Sequence, residues 1–455
     1  MVDIIKYQGF DHLWQYSGPW LYYLLALYIS LPVLAYKVLP LLFHTRRNRS
    51  RKTILIFVMG DLGHSPRMCY HALSFSKLEY NVSLCGYIES QPNYEIIDDV
   101  NIDLRPITVV KNEKDSPFLL FAMRKILVQI QDISKILWSH REDADYVMIQ
   151  NPPSIPILLV VILFKLFISR HLKIIIDWHN LNYTILNLRY NNLHHPLVRI
   201  TKAYEQVLAR FASLNITVTK KMKSFLVDEF ALEKSKIVTL YDRPGKQFQP
   251  LNEVKESGLY RKHEIFNEIK GIENYKVLVS STSFTPDEDF TILLEALKSY
   301  EQESNTPPLL LIITGKGPLK NEFLNKVQDF KFSKKVVIKT AWLSSEDYPK
   351  ILASADLGVS LHTSSSGIDL PMKIVDFFGC GIPVVSLDFP AIGELVKEGK
   401  NGVIVKTSKE LGKAISNIFT NETSFRQLKA GATEESRYRW DENWTLTLRP
   451  RFEVQ

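Results

Sequence analysis

The chain repeats one hydrophobic pattern, in which a short apolar run is followed by a polar or glycine-containing loop and then by a longer amphipathic segment. Continuous apolar runs of about four to eight residues are typical of parallel strands that are buried on both faces. The predicted strands fall in two series: residues 53–59, 81–86, 145–150, 173–177, 215–219 and 236–240, and then residues 277–280, 308–314, 336–340, 357–361, 383–387 and 403–405. The pattern therefore predicts an α/β fold with two Rossmann-like sheets.

One stretch near the N-terminus departs from this pattern. Residues Trp20–Phe43 are apolar almost throughout, and as a helix they would extend ~36 Å, enough to cross a hydrocarbon core of ~30 Å. A cleaved signal peptide is the alternative interpretation. Its apolar region would be shorter, however, and Arg-rich sequence follows here instead of a small-residue cleavage site. We therefore expect an uncleaved transmembrane anchor.

The charges beside the anchor predict its orientation. Much of the net charge of +7 lies in one cluster behind it, formed by Arg46, Arg47, Arg49, Arg51 and Lys52. By the positive-inside rule, residues 1–19 would be luminal and the chain after residue 46 would be cytosolic. The remaining charges are too evenly mixed to indicate a nucleic-acid partner.

Length and composition indicate more than one domain, because 455 residues are too many for a single hydrophobic core, and 45% apolar side chains are enough to form more than one. We expect a Rossmann-like domain over residues 44–245, a polar linker over 246–274, a second Rossmann-like domain over 275–437 and a tail over 438–455. The three cysteines show neither disulfide nor zinc spacing and fit a reducing compartment. Residues 154–169 are apolar on all sides, so this segment is either a buried helix or rests partly in the membrane.

The most informative stretch is residues 360–387, SLHTSSSGIDLPMKIVDFFGCGIPVVSL. A hydroxyl-rich loop with Ser364, Ser365, Ser366 and Gly367 precedes a helix, which we expect to carry Pro371 in its first turn. Lys373 and Asp376 lie three residues apart and so share one face of that helix. Serine donors, a helix N-terminus and a lysine suit phosphate oxygens, and a carboxylate suits ribose hydroxyls. Simple helix capping is the alternative explanation for the serines.

The first predicted strand leads into a second candidate site. It is followed by Gly60, Gly63, His64 and Arg67, a strand–loop–helix arrangement without the complete glycine fingerprint of dinucleotide-binding enzymes, which argues against an NAD enzyme. Another strand ends at Asp177, and His179 follows it. Titratable groups at the carboxyl end of a parallel strand are acid–base candidates, because ligands bind at that edge of open α/β sheets.

Several motifs together resemble one family. The combination of SSSGIDLPMKIVD with GDLGHSPRM, IIIDWHN and SSTSFTPDEDF is similar to the chitobiosyldiphosphodolichol β-mannosyltransferases of asparagine-linked glycan assembly. The resemblance extends from about residue 54 to residue 444 and includes the anchor. It implies the GT-B fold, in which two Rossmann-like domains face a crevice. Many GT-B transferases have two glutamates eight positions apart; Asp376 matches the second, whereas the first falls on the apolar Ile368, with Asp369 one place beyond.

The resemblance also implies an activity and a location. The family transfers mannose from GDP-mannose to dolichyl diphosphate-linked chitobiose, forming a β1,4 linkage with inversion, on the cytosolic face of the endoplasmic reticulum membrane. We therefore expect both molecules and that membrane as partners, and a complex with other mannosyltransferases of the pathway is left open. Neither a metal site nor a cofactor is expected.

By the same resemblance, further residues are expected to contact the donor. Gly315, Lys316 and Gly317 would form a donor-facing loop, and the segment at Trp342 would contact the nucleotide base through backbone atoms. Related enzymes place an Arg and a Lys in the loop after residue 281 to hold the diphosphate, but here Ser and Thr occupy that loop. The positive charge would then come from Lys316, Lys373 or Arg67.

The catalytic base is the remaining assignment. An inverting transfer occurs in one displacement and requires a base for the acceptor hydroxyl. We expect Asp61 to be this base and His179 to be the second candidate, while Asp177 could orient its neighbours. Two alternative functions remain: a retaining GT-B enzyme of a neighbouring step, which product stereochemistry would distinguish, and a non-catalytic membrane scaffold, which would not need the Lys373–Asp376 pair.

Overall fold

A computed structural model of the chain describes residues 20–43, 50–112, 117–251, 263–267, 269–285, 288–333 and 335–453, without the side chains of residues 118 and 119. Three predicted features fall partly or wholly outside these ranges. They are the luminal segment 1–19, the arginines at 46, 47 and 49 of the basic cluster, and much of the polar linker between residues 252 and 262.

The described strands form two sheets. The first has seven strands in the order β3-β2-β1-β4-β5-β6-β7, and the second has six in the order β10-β9-β8-β11-β12-β13. The strands are β1 Thr53–Asp61, β2 Asn81–Tyr87, β3 Ile102–Pro106, β4 Ala144–Asn151, β5 Lys173–Trp178, β6 Leu214–Thr217, β7 Ile237–Thr239, β8 Lys276–Ser281, β9 Leu309–Thr314, β10 Val336–Ala341, β11 Leu357–Ser360, β12 Val384–Leu387 and β13 Gly402–Val405. The prediction of two Rossmann-like sheets is confirmed.

Helices alternate with these strands, as a parallel sheet requires. They are α1 Trp20–Phe43, α2 Pro66–Lys77, α3 Tyr94–Ile97, α4 Phe118–Ser139, α5 Ile157–Phe167, α6 Asn182–Tyr190, α7 Pro196–Leu208, α8 Lys220–Asp228, α9 Phe290–Gln302, α10 Lys320–Phe330, α11 Asp347–Ala353, α12 Met372–Gly379, α13 Ser408–Thr420, α14 Glu422–Glu435, α15 Trp440–Thr447 and α16 Pro450–Glu453. Short 3₁₀ turns occur at Leu62–His64, Ala209–Phe211, Lys234–Lys236, Glu264–Phe266, Ile272–Asn274 and Ile392–Glu394.

The continuous apolar runs form the sheet cores because strands such as β1 and β9 are covered on both faces. In β1 the residues from Thr53 to Met59 are buried, and all six residues of β9 are buried. The pairings are parallel; Ile54 of β1 lies opposite Val82 of β2 and Tyr146 of β4. The core therefore follows directly from the hydrophobic pattern.

Two local details differ from the sequence prediction. The edge strand β3 was not predicted, since its sequence, IDLRP, alternates apolar with charged residues and only its first residue is buried. Pro371 lies immediately before α12 instead of in its first turn, because its backbone is extended, with φ −76° and ψ 121°.

The chain divides into two compact units. The first runs through Ile149 and includes Pro153–Ile175; the second comprises Gln150–Pro152 and Ile176–Gln455. Residues 150–152 and the end of β5 therefore group with the second sheet and with the helices α6 to α8.

Helix α1, the predicted anchor, lies in the first unit and is the one described helix that is long and apolar enough to cross a membrane. Its side chains are exposed apart from Pro40 and four half-buried positions. Near its C-terminal end, Tyr36 contacts Phe167, with ring centroids 6.4 Å apart, and Phe43 contacts Trp138 at 5.3 Å. The guanidinium of Arg170 lies 4.2 Å from the centroid of the Tyr36 ring. The apolar helix thus packs near one end against the C-terminal ends of α4 and α5 and against Arg170, which follows α5.

The apolar segment 154–169 contains α5, and its two sides differ. Ile157, Leu158 and Val161 are completely buried. Leu159 and Leu163, one turn apart, are 42% and 44% exposed. One side of α5 therefore belongs to the core, and a narrow leucine edge is partly exposed.

Candidate active site

Two loops at the carboxyl ends of β8 and β9 touch each other closely. A Cβ atom on Gly315 would lie 1.8 Å from the carbonyl oxygen of Thr282, and one on Gly317 would lie 1.7 Å from that of Ser283. Gly315 also has φ +143°, which favours glycine. Both glycines are therefore required by the contact between the two loops, in addition to any approach of a ligand.

The predicted phosphate-binding lysine is ion-paired. Lys373 Nζ contacts Glu288 Oε1, and the hydroxyl of Thr282 donates to Glu288 Oε2. The side chain of Glu288 is only 3% exposed and that of Lys373 is 19% exposed. Thr282 Oγ1 also accepts a hydrogen bond of 2.8 Å from the Phe284 amide. The pair therefore ties the loop after β8 to the first turn of α12.

The carboxylate of Asp376 lies one turn further along α12, in a polar cluster at the strand ends. Tyr348 Oη is 3.4 Å from Asp376 Oδ2 and 3.1 Å from Ser281 Oγ. Burial raises the pKa of Asp376 from 3.8 to about 7, and the negative charge of Asp242 adds to this effect. A carboxylate in this position can accept hydrogen bonds from a vicinal diol. Because its pKa is close to 7, a bound ligand can change its charge near neutral pH.

A cation and an aromatic ring meet at the end of β10. Lys316 Nζ lies 4.3 Å from the centroid of the Trp342 ring, which is within the range of a cation–π contact. Trp342 is 57% exposed. An exposed aromatic face of this kind can stack on a planar ring.

The hydroxyl-rich loop uses two of its serines to hold its own conformation. Ser364 Oγ accepts hydrogen bonds from the amides of Ser366 and Gly367, at 3.2 and 2.9 Å. Ser366 Oγ accepts one of 3.4 Å from the Ile368 amide. Gly367 has φ +71° and a turn conformation that suits glycine. These serines do not cap α12, because the donors are amides of residues 366–368 and the N-cap residue, Pro371, makes no side-chain capping bond. Ser364 and Ser366 instead stabilise their own loop, which leaves Ser365 unexplained by local structure.

Ser365 and Asp369 are connected to the segment that follows β5. The side-chain Nδ2 of Asn180 donates to Asp369 Oδ2 at 3.0 Å and to Ser365 Oγ at 3.2 Å. The Thr184 and Ser365 hydroxyls are 3.2 Å apart. The second carboxylate oxygen of Asp369, Oδ1, is buried and has no hydrogen-bond partner among the described residues. A buried acceptor of this kind is costly unless a ligand or water satisfies it, so it indicates a binding position.

The segment after β5 also holds a carboxylate–imidazole pair. His179 Nε2 lies 2.9 Å from Asp177 Oδ2. The side chain of Asp177 is completely buried, while that of His179 is 26% exposed. When the carboxylate accepts the Nε2 hydrogen, the Nδ1 lone pair is available to take a proton from a substrate. His179 thus has the arrangement of an oriented general base.

In the first unit, Asp61 is the centre of a separate hydrogen-bond cluster. It accepts from the amides of Glu89 and Ser90, at 3.1 and 3.2 Å, and from the Ser90 hydroxyl. His64 Nδ1 lies 2.7 Å from Asp61 Oδ2. Burial alone would raise the pKa of Asp61, but the bonds from Ser90, His64 and the two amides outweigh it and lower the pKa to about 2. The carboxylate is therefore held as an anion with little affinity for a proton.

The other residues of this first loop have distinct surroundings. A Cβ atom on Gly63 would lie 2.3 Å from Ser90 Oγ, so glycine makes room for the Ser90–Asp61 contact, whereas Gly60 has space for a side chain. Arg67 is buried, with 3% of its surface exposed. In this unit the structure brings together Asp61, Gly63 and His64 around Ser90.

Comparison with known proteins identifies the family. The Glycosyl transferases group 1 family matches residues 275–421. The chain is 64% identical to a Candida albicans protein named chitobiosyldiphosphodolichol beta-mannosyltransferase, over 100% of this chain and 99% of that protein. The human protein of the same name is 35% identical, over 94% and 97%. The chain belongs to the chitobiosyldiphosphodolichol beta-mannosyltransferase family.

Solved structures agree on the fold. The crystal structure of Anabaena HepE with UDP and glucose has a TM-score of 0.64 at 17% identity, over 89% of this chain and 100% of that one. Sucrose-phosphate synthase from Thermosynechococcus elongatus has a TM-score of 0.65 at 13% identity, over 86% and 96%. The chain is thus a GT-B glycosyltransferase, as its motifs predicted.

Three residues of this candidate site were missed by the sequence analysis: Asn180, Glu288 and Tyr348. Asn180 had a usable signal, because it belongs to the Asp-Trp-His-Asn run at the end of a predicted strand. Glu288 also lies in a motif that carried the family resemblance. Tyr348 lies within helix α11 and carries no signal of its own.

Proposed function

We propose that the chain transfers mannose from GDP-mannose to dolichyl diphosphate-linked chitobiose, forming a β1,4 linkage with inversion. The observation that carries the proposal is the bridge from Asn180 to Ser365 and Asp369, which joins the Asp177–His179 pair to the serine loop before α12. The bridge thereby holds the proposed base, His179, in a fixed relation to the carboxylate of Asp369, which would bind the sugar. The relatives' shared name supports the acceptor, and the family resemblance supports the donor.

On the donor side, each polar group has a chemical role in this proposal. The buried Oδ1 of Asp369 would accept a hydrogen bond from a hydroxyl of the mannose, and Asp376 would accept hydrogen bonds from the ribose hydroxyls. Lys373, at the start of α12, would lie beside the diphosphate, where the helix N-terminus also favours negative charge. The exposed ring of Trp342 and the ammonium of Lys316 would lie beside the guanine.

On the acceptor side, we assign the base to His179. The 4-hydroxyl of the second N-acetylglucosamine would attack the anomeric carbon of mannose while its proton passes to His179 Nδ1. The bond from that carbon to the β-phosphate oxygen would break, and GDP would leave with the electron pair. Buried Asp177 would stabilise the resulting imidazolium, as carboxylates do in catalytic triads. We prefer His179 to Asp61, because a carboxylate with a pKa of about 2 is a weak base at neutral pH.

The anchor supports a membrane location for this reaction. Helix α1 is long enough to span the bilayer, and the leucine edge of α5 could rest at its surface. We propose the endoplasmic reticulum membrane, with residues 1–19 in the lumen and the catalytic part in the cytosol. A lipid-linked acceptor requires an enzyme held at the surface where the lipid resides.

The test is a transfer assay with stereochemical analysis of the product. Full-length protein in detergent is incubated with labelled GDP-mannose and a short-chain lipid-linked chitobiose. The expected product gains one mannose that a β-mannosidase releases and an α-mannosidase does not. A product with the opposite sensitivity would indicate a retaining enzyme. GDP binding without transfer to this acceptor would contradict the acceptor assignment.

A further inference from the structure

Helix α7 carries a carboxylate that is completely buried and has no role in the proposed reaction. Glu205 has 0% of its surface exposed, and its hydrogen-bond donors among the described residues include no cation. Burial raises its pKa to about 7 despite three stabilising hydrogen bonds. Placing an acidic group in such surroundings is unfavourable for folding, so a purely apolar replacement would be expected here unless the carboxylate has a further use.

The three donors to Glu205 come from two separate segments. Oε1 accepts from the amide of Asn182 and from the side-chain Nδ2 of Asn151, both at 2.9 Å. Oε2 accepts from the amide of Tyr183 at 3.3 Å. Asn182 and Tyr183 are the first two residues of α6, where backbone amides have no partner within the helix. One carboxylate therefore fixes both the beginning of α6 and the side chain of Asn151.

Asn151 in turn holds the backbone of the proposed base. Its carbonyl oxygen accepts a hydrogen bond of 2.8 Å from the amide of His179. The short segment with His179 and Asn180 thus runs from this anchored point to the anchored start of α6. Glu205 is connected to both ends of the segment.

We propose that Glu205 is a positioning residue that sets the location of His179 and Asn180 for the transfer reaction. This inference rests on the proposed function, in which His179 is the base. A shift of about 1 Å in a reacting group can lower turnover about a hundredfold. The alternative role for Glu205 is ordinary capping of α6, which would affect folding but not the action of His179 in particular.

A double-mutant cycle in the full-length protein distinguishes these roles. The variants are His179→Ala, Glu205→Gln and the two combined. Gln keeps one acceptor oxygen but presents an NH₂ group where Oε2 accepts from the Tyr183 amide. The start of α6 and the segment before it are therefore displaced, while the side-chain volume at position 205 is conserved. We expect Glu205→Gln to lower kcat about ten- to a hundredfold and to leave the KM for GDP-mannose within about twofold. In the combined variant kcat should be no lower than in His179→Ala, because a positioning residue has nothing left to position.

Thr201→Val is the matched control. Thr201 is buried on the same face of α7, one turn before Glu205, and its hydroxyl donates to Leu197 O inside the helix. Its substitution should change kcat by less than about twofold, and any loss should multiply with that of His179→Ala. Asn151→Ala is a second test variant for the case that Glu205→Gln does not fold. It removes the side-chain bond by which Glu205 holds residue 151, whose backbone carbonyl accepts from the His179 amide, and it keeps both α6 amide bonds to Glu205. It should behave like Glu205→Gln in the same cycle.

Each outcome decides one question. Non-additive losses for Glu205→Gln or Asn151→Ala with His179→Ala support the inference. Losses that multiply, as in the control, overturn it and leave the base assignment intact. Near-normal turnover in His179→Ala overturns the base assignment and this inference together.

Discussion

We predict that mutations in the Lys373–Glu288 ion pair affect stability and donor binding differently. The carboxylate of Glu288 is buried, and its partners are the Lys373 ammonium and the Thr282 hydroxyl. Lys373→Met removes the ammonium and leaves the carboxylate with the hydroxyl. Glu288→Gln combined with Lys373→Met removes both charges and keeps similar side-chain volumes.

The magnitudes follow from burial. Removing one partner of a buried pair costs about 3–5 kcal/mol, and we expect the lower value because Lys373 is partly exposed. A loss of about 3 kcal/mol corresponds to a fall in Tm of about 6–12 °C in a domain of 150–250 residues. Replacing both members of a buried pair is often neutral, so the double variant should recover most of this loss.

Donor binding should not recover in the double variant. If Lys373 contacts the diphosphate, losing a charge-assisted bond should cost about 1.5–3 kcal/mol, which is about ten- to a hundredfold in Kd. Thermal unfolding with and without GDP, calorimetry with GDP and the KM for GDP-mannose measure the two effects separately. Lys298→Met is the control, since Lys298 pairs with Glu301, a largely buried carboxylate elsewhere in the same unit.

The refuting result is a double variant that is stable and binds GDP as the unmodified protein does. Lys373 would then serve only to neutralise Glu288, and the charge that faces the diphosphate would have to come from another residue. Weak GDP binding in Lys298→Met would show instead that the measured loss reflects general destabilisation.

Three further predictions concern the base, the pH dependence and the membrane. His179→Ala should lower kcat about 10²–10⁴-fold and leave GDP affinity unchanged; a comparable loss in Asp61→Asn with normal His179→Ala would return the role to Asp61. The pKa of Asp376 is about 7 in the folded state and 3.8 ordinarily, so the folded state binds this proton more tightly than the unfolded state. The free energy of unfolding should therefore fall as pH rises from about 4 to 7, by at most about 4 kcal/mol. Asp376→Asn should remove that slope in melts at several pH values. Protease added to sealed microsomes should digest the chain from Arg51 onward, and glycosylation at Asn182 would mean the opposite topology.

The sheets could be predicted from the sequence because buried parallel strands require continuous apolar residues. Strand β3 could not, since an edge strand needs to bury only part of its surface, and IDLRP contains two charged side chains. The expected family and fold followed from motifs whose residues are close together in sequence. Local patterns were therefore sufficient for architecture.

The site was less predictable, because its contacts join distant parts of the chain. Lys373 and Glu288 are 85 residues apart, and Asn180 and Asp369 are 189 apart. The sequence indicated Lys373 as a free cation for phosphate, whereas the structure pairs it with a carboxylate. Serines expected to face phosphate divide into two that hold their own loop and one, Ser365, that contacts Asn180 and Thr184.

The two candidate aspartates illustrate why residue type and strand position alone do not assign a base. Both Asp61 and Asp177 lie in the last two residues of a parallel strand. Asp61 accepts hydrogen bonds from two amides and a hydroxyl, which stabilise its ionised form and lower its affinity for a proton. Asp177 is completely buried and aimed at an imidazole that is partly exposed. A carboxylate that orients a histidine makes that histidine a better base, while a carboxylate that fixes a loop makes the loop rigid. The surroundings of each group, which only the folded chain defines, therefore favour proton transfer at His179 and an organising role for Asp61.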